Sequence, residues 1–518
     1  MTFFERSEIK DTDRSGKANR ARALLFLLSS LTVLLLCSKC SPLYTFNDWC
    51  DMNWFHTMGK GMFSGLVPYR DLYEQKGPVL FFIIGLVSFF SERSLIGVFL
   101  LEAVALFFYQ HFSYKIARRY LTEAQARAAA VATAVLTATT WSFNQGGGSV
   151  EEYCLPLFAY GLYKLLVYLE DGRTLSFGEM FIFGLIVGVI LWSKYLTALY
   201  FAIIMLIWMQ DMLFVRHDGK NLLRGILAGF LGVVAVTLPV LLYFAANGAL
   251  GDLFTVYFLD NLFHYSDPQT VVHPLVKYIG IYLSNFILDA IAIYGLAVYF
   301  RESRKTQNRR TAVCLLVFYC VQVLEVLLIG YYTYYYLIFA PFTAMMTVPL
   351  VKRLSAYREK RREAGARFPK KRTEIALAVT AGLLVCLLGS NVTLELFRRD
   401  YPQIEVAEYI EEQGDETPTL LCYKMLDYGF YRAAGLSPTT RFYALNNYAE
   451  ESFPEIYEEF ERYVEEGVCE FVVVYTEDYN EERELFDLYE PVAEYDYTMR
   501  DNNYVTYSYE FTLLMLAE

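Results

Sequence analysis

Residues 42–77 combine side chains that could carry out chemistry together. Asp48 and Asp51 lie near the start of this segment, and Arg70 and Lys76 lie near its end. A carboxylate can accept the proton of a hydroxyl group and so act as a general base. A lysine or an arginine can hold a phosphate group by charge-assisted hydrogen bonds. The segment therefore holds the residue types needed to activate a hydroxyl and to bind a phosphate.

The rest of the chain has the composition of a membrane protein. Of its 518 residues 55% are hydrophobic, and the mean hydropathy is +0.28. A helix needs about 20 apolar residues to cross a bilayer core of about 30 Å, and its backbone polar groups must be satisfied within the segment. The apolar runs predict eleven crossing helices. They lie at 21–41, 94–117, 128–142, 153–169, 178–191, 195–213, 222–244, 278–299, 311–330, 335–351 and 374–395.

Basic residues sort the connections into two sides. The first apolar run is preceded or begun by Arg14, Lys17, Arg20 and Arg22, which puts the N-terminus in the cytoplasm by the positive-inside rule. A cleaved signal peptide is the alternative, but the run is long and no cleavage pattern follows closely. The other basic connections, 118–127, 216–224, 301–310 and 352–372, then all lie in the cytoplasm. Residues 42–77 become the first outer loop, and the C-terminus lies outside.

Three charged residues lie at the outer ends of apolar runs. Glu151 and Glu152 precede a helix predicted to begin near Tyr153, where we expect them to face outward. Acids at this position also suit the helix dipole, a purely structural explanation. Lys194 lies between two short apolar runs, and a lysine at membrane depth is costly unless paired or hydrated. It is therefore a candidate functional residue, with snorkelling to the surface as the alternative.

The apolar segment 78–90 has only 13 residues and is too short to cross alone. If it crossed, every later basic connection would face outward. We interpret it as a half-helix or interfacial segment. Two tightly coupled helices within 78–117 are the alternative.

The composition changes after about Phe397. Residues 397–518 contain 29 aspartates and glutamates against 8 lysines and arginines. Residues 419–423 and 470–475 have the character of strands, and 404–412 and 453–466 have helical patterning. Strands that alternate with helices predict a small α/β domain, whose acidity favours solubility.

These patterns predict a fold class and its division. The class is an all-α polytopic membrane domain of about eleven helices, with a re-entrant or interfacial segment after the first outer loop, plus a small extracytoplasmic α/β domain. The predicted parts are a cytoplasmic tail 1–20, a membrane domain 21–396 with the outer loop 42–77, and an outer domain 397–518.

Several motifs together resemble one known group. They are Asp51-Met-Asn-Trp-Phe, Gly61 to Gly65, Pro68-Tyr-Arg-Asp71, Lys76-Gly-Pro78, Glu151-Glu152, Trp192-Ser-Lys194-Tyr195 and Tyr334-Tyr-Tyr-Leu-Ile-Phe-Ala-Pro341. The chain, over about residues 20–400, resembles the integral-membrane GT-C glycosyltransferases. More closely, it is similar to the bacterial glycosyltransferase family 39 branch, related to protein O-mannosyltransferases and aminoarabinose-lipid A transferases.

The resemblance implies a reaction in the bacterial cell membrane. Such enzymes move a sugar from a polyprenyl-phosphate carrier to a hydroxyl of an outer glycan, lipid or protein, with inversion. Asp51 best matches the family's catalytic acid, and Asp48, three residues earlier, is the alternative. The family often has two adjacent acids where this chain has Asp-Met, so the division of labour between the acids stays open. Lys76 matches the lysine that meets the carrier phosphate. The candidate catalytic residues are Asp51, Asp48, Glu151 and Glu152, and the candidates for donor and phosphate binding are Lys76, Arg70, Tyr69, Asp71, Lys194 and Tyr195.

Two other classes of function stay open at this point. A lipid-linked oligosaccharide flippase or transporter would also be polytopic, and so would a non-catalytic membrane protein with an outer binding domain.

A divalent metal is used by some relatives and not by others, and the acids here permit either. No feature of the sequence indicates a nucleic-acid partner.

The basic connections generate a test of topology. A C-terminal reporter that is active only in the cytoplasm should be inactive, whereas the same reporter inserted after Arg361 should be active. Activity of the C-terminal fusion would contradict the count of eleven crossings.

Overall fold

A computed structural model of the chain describes residues 3–5, 16–89, 93–143, 146–263, 286–304, 309–329, 332–445, 448–500 and 506–517. The beginning of the predicted crossing 278–299 and part of the predicted tail 1–20 lie outside these residues.

Helices make up most of the first 395 residues. Those before residue 264 are α1 (Gly16–Cys37), α2 (Cys50–Phe63), α3 (Pro78–Ser88), α4 (Ile96–Arg118), α5 (Glu123–Ala138), α6 (Val150–Asp171), α7 (Phe177–Leu191), α8 (Leu199–Phe214), α9 (Gly219–Ala246), α10 (Leu250–Phe254) and α11 (Asn261–Phe263). They are followed by α12 (Phe286–Ser303), α13 (Arg309–Ile329), α14 (Ala340–Glu363) and α15 (Lys371–Gly389). Short 3₁₀ turns at Tyr195–Ala198, Thr333–Phe339 and Asn391–Glu395 and a π-helical turn at Thr255–Asp260 complete this part.

Seven helices among the described residues are long and apolar enough to cross a membrane. They are Gly16–Cys37, Ile96–Arg118, Tyr195–Phe214, Gly219–Ala246, Arg309–Leu327, Thr333–Glu363 and Lys371–Gly389. The other four predicted crossings also contain helices, namely α5, α6, α7 and α12. The number of crossings stays a prediction, but the chain is a multi-pass membrane protein.

The segment after the first outer loop forms a separate short helix. α3 has 11 residues, which is about 16 Å of helix and about half a bilayer core. Pro78 is the first residue of this helix, where a backbone N–H would have no partner within the helix, so a proline loses no hydrogen bond there. Whether this segment crosses stays a prediction.

The C-terminal part is a small mixed domain around a four-stranded sheet. Its helices are α16 (Pro402–Gln413), α17 (Phe430–Ala434), α18 (Pro454–Glu465) and α19 (Thr476–Glu481), followed by a 3₁₀ turn at Arg483–Phe486. Its strands are β1 (Leu420–Cys422), β2 (Phe471–Tyr475), β3 (Tyr489–Arg500) and β4 (Thr506–Leu516). The strand order is β1-β2-β4-β3. β1 and β2 are parallel, whereas β4 runs antiparallel to both of its neighbours.

This domain confirms the predicted fold class and adds one element. β1, β2, α16 and α18 lie within two residues of the predicted strands and helices. The hairpin of β3 and β4 was not predicted, although its tyrosines alternate along both strands. It completes the sheet on one side of β2, whose residues 471–474 are fully buried.

The two parts of the chain share a continuous hydrophobic core. Buried apolar side chains run without interruption from α1, through α2 and the end of the first outer loop, to the strands of the sheet. The outer domain is therefore packed onto the membrane domain, and the first outer loop lies between them.

Candidate functional site

The first outer loop contains a helix that places Asp51 in its first turn. This helix, α2, packs on the short α3 where two glycines meet. A Cβ on Gly59 would lie 2.5 Å from the backbone nitrogen of Gly85, so only glycine permits this approach. Such glycine contacts are typical of tightly packed membrane helices. They hold the start of α2 at a defined place beside the end of the loop.

Backbone pairing brings the two candidate lysines together. The N–H of Gly77 donates to the carbonyl of Ser193 at 2.9 Å, and that of Val79 donates to the carbonyl of Trp192 at 3.0 Å. A Cβ on Gly77 would lie 2.1 Å from the Trp192 oxygen, so the approach again requires glycine. Lys76 and Lys194, which flank this pairing, therefore belong to one site.

Lys194 is held by a carboxylate and by aromatic rings. Its ammonium lies 2.5 Å from Oε1 of Glu151, and the two residues are 8% and 2% exposed. The same nitrogen lies 3.7 Å from the ring centre of Tyr335 and 4.8 Å from that of Tyr334. Cation–π contacts of this kind stabilise a cation that has lost its water. The ammonium is thus fixed in place without being exposed.

Asp51 completes the cluster. Its Oδ2 accepts a hydrogen bond of 3.2 Å from the hydroxyl of Tyr334, which ties α2 to the 3₁₀ turn at Thr333–Phe339. Glu74 lies on the loop side, with its Oε1 3.8 Å from the nitrogen of Lys76. Two ammonium groups and three carboxylates thus converge where the loop returns to the membrane domain.

The pKa shifts show that these charges act on each other. Burial lowers the pKa of Lys194, Glu151 raises it and Lys76 lowers it, with a net decrease. Burial raises the pKa of Glu74, Lys76 lowers it and Asp51 raises it, with a net increase. The site is therefore crowded with both signs of charge, and a second cation beside Lys194 makes its protonated form less stable.

Glu151 and Glu152 lie at the start of the helix that was predicted to begin near Tyr153. The helix begins at Val150, and both glutamates are buried in its first turn. Glu151 turns toward Lys194, whereas Oε2 of Glu152 accepts from the N–H of Gly148 at 3.1 Å. A buried cation and a buried amide compensate these carboxylates away from water, and the side of the membrane on which they lie stays a prediction.

Glu152 belongs to a second group of polar contacts. The Gly148 N–H also donates to Glu102 of α4 at 2.8 Å, and Ser38 donates to the same carboxylate at 2.8 Å. A Cβ on Gly147 would lie 2.2 Å from the Ser38 hydroxyl. Gly147 and Gly148 thus pack their backbone onto buried carboxylates.

Asp48 lies in a separate charge network that joins the two parts of the chain. It is 2% exposed, with Oδ1 2.5 Å from the ammonium of Lys39 and Oδ2 2.5 Å from the hydroxyl of Tyr497 on β3. Lys39 also donates to Glu395 at 2.7 Å. Burial alone would raise the pKa of Asp48, but Lys39, Tyr497 and Arg398 outweigh it, and the pKa lies below its usual value. Both carboxylate oxygens of Asp48 are therefore held in a buried network.

A second contact with the outer domain holds the loop on either side of Asp48 and Asp51. Arg432, which is 5% exposed, donates from Nη2 to the carbonyl of Asn47 and from Nε to Oδ1 of Asn53, both at 2.7 Å. Its guanidinium lies 4.0 Å from the ring centre of Phe46. The outer domain thus positions the segment that carries both candidate acids.

The other candidates for donor binding are not brought into the cluster. Arg70 and Asp71 form a two-point ion pair on the surface, with both distances 2.8 Å, and Arg70 also donates to the carbonyl of Asn247. Tyr195 packs its ring against Tyr257 and Phe258.

Tyr69 contacts the site indirectly. Its hydroxyl donates to the carbonyl of Lys76 at 2.6 Å, and its ring stacks on Phe244. Its φ of 72° lies in the left-handed region, which is rare for a bulky residue and is found where surrounding contacts enforce it. Tyr69 is thus placed to hold the backbone next to Lys76.

Sequence reasoning missed several residues of the site. Tyr334 and Tyr335 lie within a motif that carried the family resemblance, and Glu74 lies between two such motifs, which was the available signal. No signal in the sequence pointed to Glu102, Arg432 or Tyr497, because each is separated by many residues from its partner.

Within the described ranges, no three histidine, cysteine, aspartate or glutamate side chains are grouped to hold a metal ion.

Comparison with known proteins gives a family match over most of the chain. Residues 12–388 match the family described as "Putative competence-induced protein Ccs4 N-terminal domain". No curated protein sequence matches the chain.

Solved structures are similar over nearly the whole length. ArnT from Cupriavidus metallidurans bound to undecaprenyl phosphate aligns with a TM-score of 0.61 and 14% identity, covering 95% of this chain and 97% of that one. The apo state of ArnT aligns with a TM-score of 0.63. The oligosaccharyltransferase of Archaeoglobus fulgidus aligns with a TM-score of 0.51 and 14% identity, covering 93% and 74%. The chain therefore has a GT-C-like fold, and the predicted resemblance is confirmed.

The buried network of Asp48 predicts a stability effect. Asp48→Asn leaves Lys39 with one carboxylate, and we expect a loss of about 3–5 kcal/mol in the free energy of unfolding, as for broken buried ion pairs. Because the folded-state pKa of Asp48 is depressed, its contribution is present above about pH 4 and is lost as the pH falls through the folded-state pKa. Thermal unfolding in detergent at pH 7 and at lower pH measures both effects.

The control for this change is Asp71→Asn, which removes a surface ion pair and should cost under about 1 kcal/mol. Equal melting temperatures for the two variants would contradict the structural role of Asp48.

Proposed function

Because the chain belongs to the family of the competence-induced protein Ccs4 N-terminal domain and has a GT-C-like fold, we propose that it is a membrane glycosyltransferase. It moves a sugar from a polyprenyl-phosphate-linked donor to an acceptor hydroxyl of a cell-surface glycan, glycolipid or protein, with inversion. The observation that carries the proposal is the convergence of Asp51, Lys76 and Lys194 at one point beside the membrane domain. The similarity to a structure of ArnT bound to undecaprenyl phosphate supports the class of donor.

The two lysines suit the donor phosphate. Burial is the main cause that lowers the pKa of Lys194, and the charge of Lys76 lowers it further. A phosphate between the two lysines would therefore relieve an existing electrostatic cost. Transfer breaks the bond between the anomeric carbon and the phosphate oxygen, and the leaving polyprenyl phosphate gains a negative charge. Lysines already in place would stabilise that charge more strongly in the transition state than in the donor.

Asp51 suits the role of general base. It would take the proton of the acceptor hydroxyl while the hydroxyl oxygen attacks the anomeric carbon from the face opposite the phosphate. One of its oxygens is oriented by Tyr334. Asp48 is the weaker candidate, because Lys39 and Tyr497 already occupy both of its oxygens. Glu151 would hold Lys194 in place, and Glu152 would support the glycine turn at 146–148.

The orientation follows from the basic connections. We place the N-terminus in the cytoplasm of a bacterial cell and the acidic C-terminal domain outside it. The site then opens on the outer face, where a polyprenyl-phosphate donor and a surface acceptor meet.

The base assignment is tested by Asp51→Asn. The change removes the proton acceptor and keeps the volume, so transfer should fall by about 10²–10⁴ while carrier binding and the melting temperature stay near those of the wild type. The measurement is initial rate with purified enzyme in nanodiscs, with Asp71→Asn as the matched control. Near-normal turnover of Asp51→Asn, with a folded but inactive Asp48→Asn, would move the assignment to Asp48.

The phosphate assignment is tested at Lys76. Removing one charge-assisted contact costs roughly 1.5–3 kcal/mol, so Lys76→Ala should weaken use of the donor about 10- to 150-fold. Lys76→Arg should restore part of the loss, because the charge returns with a different geometry. Donor and acceptor titrations measure the effect, and Lys220→Ala, which removes an exposed lysine, is the control. A shift confined to the acceptor curve would show that Lys76 does not meet the phosphate.

A further inference from the structure

Two buried carboxyl groups beside the candidate site take no chemical part in the proposed reaction. Glu102 lies on α4 and Glu152 lies in the first turn of α6, and each is 2% exposed. The N–H of Gly148 donates to Oε1 of Glu102 at 2.8 Å and to Oε2 of Glu152 at 3.1 Å. Because one N–H serves both groups, the two carboxyl groups lie side by side, within hydrogen-bonding reach of each other.

No lysine, arginine or histidine among the described residues forms an ion pair with either carboxyl group. The ammonium of Lys39, which is close in the chain, is turned to Asp48 and Glu395. The ionisable groups that face the pair are the Cys40 thiol and the Tyr153 hydroxyl, and ionisation of either would add a negative charge. Two ionised carboxylates placed together here would repel each other without water or a cation to weaken the repulsion.

The hydrogen-bond donors around the pair indicate one proton between the two groups. Glu102 accepts from the Ser38 hydroxyl at 2.8 Å as well as from Gly148, as an ionised carboxylate can. Glu152 has less support, because its Oε1 is buried and has no donor in the described part of the chain. A proton on Glu152 would remove one buried charge and let Glu152 donate to Glu102. Two neighbouring carboxyl groups then hold one proton jointly.

The pair lies between the two sides of the candidate site. A Cβ on Gly148 would lie 2.3 Å from Sδ of Met52, so this turn packs directly on the residue that follows Asp51. On the other side the pair adjoins Glu151, whose carboxylate holds Lys194. A separation of α4 from the start of α6 would therefore move Asp51 and Lys194 relative to each other.

We propose that Glu102 and Glu152 share a single proton at neutral pH and act as positioning residues for Asp51 and Lys194. The shared proton removes the repulsion between two buried charges and so keeps the start of α6 against α4. Loss of this proton at alkaline pH would leave two like charges in contact and would disturb both sides of the site. The positioning role rests on the proposed transferase function, whereas the sharing of the proton does not.

Infrared spectroscopy of the full chain, in a detergent without ester groups, counts the proton. Glutamine keeps the volume of glutamate and supplies an N–H donor, so Glu102→Gln, Glu152→Gln and the variant with both changes should fold. At pH 7 each of the three should lose the same part of the carbonyl band of protonated carboxyl groups, equal to one group. Glu455→Gln, at an exposed position of α18, is the control and should lose none.

Two other results of this measurement would overturn the proposal. Unchanged bands in all three variants would show that both carboxyl groups are ionised in the wild type. A loss in the double variant that is twice the loss in either single variant would show that each group has its own proton.

The melting temperature tests the same proton without a spectrum. In the unfolded chain a glutamate releases its proton near about pH 4, whereas the folded pair keeps one proton to higher pH. The folded state then binds more protons, so the stability from this pair is present at low pH and is lost as the pH rises. The melting temperature should therefore fall more steeply with rising pH in the wild type than in Glu102→Gln. Equal pH dependence in the two proteins would contradict a shared proton.

The pH dependence of transfer tests the positioning role. In the wild type kcat should fall on the alkaline side when the shared proton is lost. Each single glutamine variant has only one carboxylate at this place, so the fall should move to higher pH by at least about one unit, with rates taken relative to pH 7. Glu455→Gln should keep the profile of the wild type. The same alkaline fall in the wild type and in both glutamine variants would overturn the positioning role.

These measurements separate the inference from the transferase proposal. If the purified wild type transfers no sugar from polyprenyl-phosphate donors at any pH, the transferase proposal and the positioning role fail together, and the infrared bands still decide on the shared proton. If transfer occurs and is lost in Asp51→Asn while the bands are unchanged in all three glutamine variants, the inference about Glu102 and Glu152 alone fails.

Discussion

The hydrogen bonds of Arg432 and Tyr497 to the first outer loop connect the two parts of this protein. Arg432 contacts the loop at Asn47 and Asn53, and Tyr497 contacts it at Asp48. All of these groups are buried, so each bond is hard to break without leaving an unpaired polar group. The segment that carries Asp51 is therefore held by the outer domain as much as by the membrane helices. The α/β domain is a structural part of the site.

The lysine cluster follows a different principle, because its charges are only partly compensated. Lys194 has one carboxylate partner and two aromatic rings, and Lys76 lies close enough to lower its pKa. Asp48 and Lys39, by contrast, are fully paired and have pKa values shifted toward their charged forms. Compensated charges suit a permanent contact, and incompletely compensated ones suit a ligand. The two candidate acids therefore differ in their surroundings: Asp51 lies beside the lysine cluster, and Asp48 lies in the paired network.

Glycines at close contacts make this geometry attainable. Gly77 lets the end of the outer loop pair with the backbone at Trp192 and Ser193, and Gly59 and Gly85 let α2 lie directly on α3. At each point a side chain would collide with backbone atoms, which shift less readily than side chains. The distance between the lysines and Asp51 is thus set largely by backbone contacts, which favours a pre-organised site.

The sequence alone determined the helical membrane class, the acidic α/β domain and the family resemblance. These depend on local patterns such as apolar runs, basic connections and short motifs. The hydrophobicity of a segment and the charges beside it decide its insertion into a bilayer almost independently of the rest of the fold. It also brought forward Asp51, Lys76, Lys194 and Glu151 as candidates. Only the tertiary structure showed that Asp48 is paired with Lys39 and Tyr497, that Glu151 and Glu152 are buried against different neighbours, and that the outer domain holds the loop by hydrogen bonds. These outcomes depend on contacts between residues up to about 450 positions apart, such as Asp48 and Tyr497, and burial there decides which charges are paired.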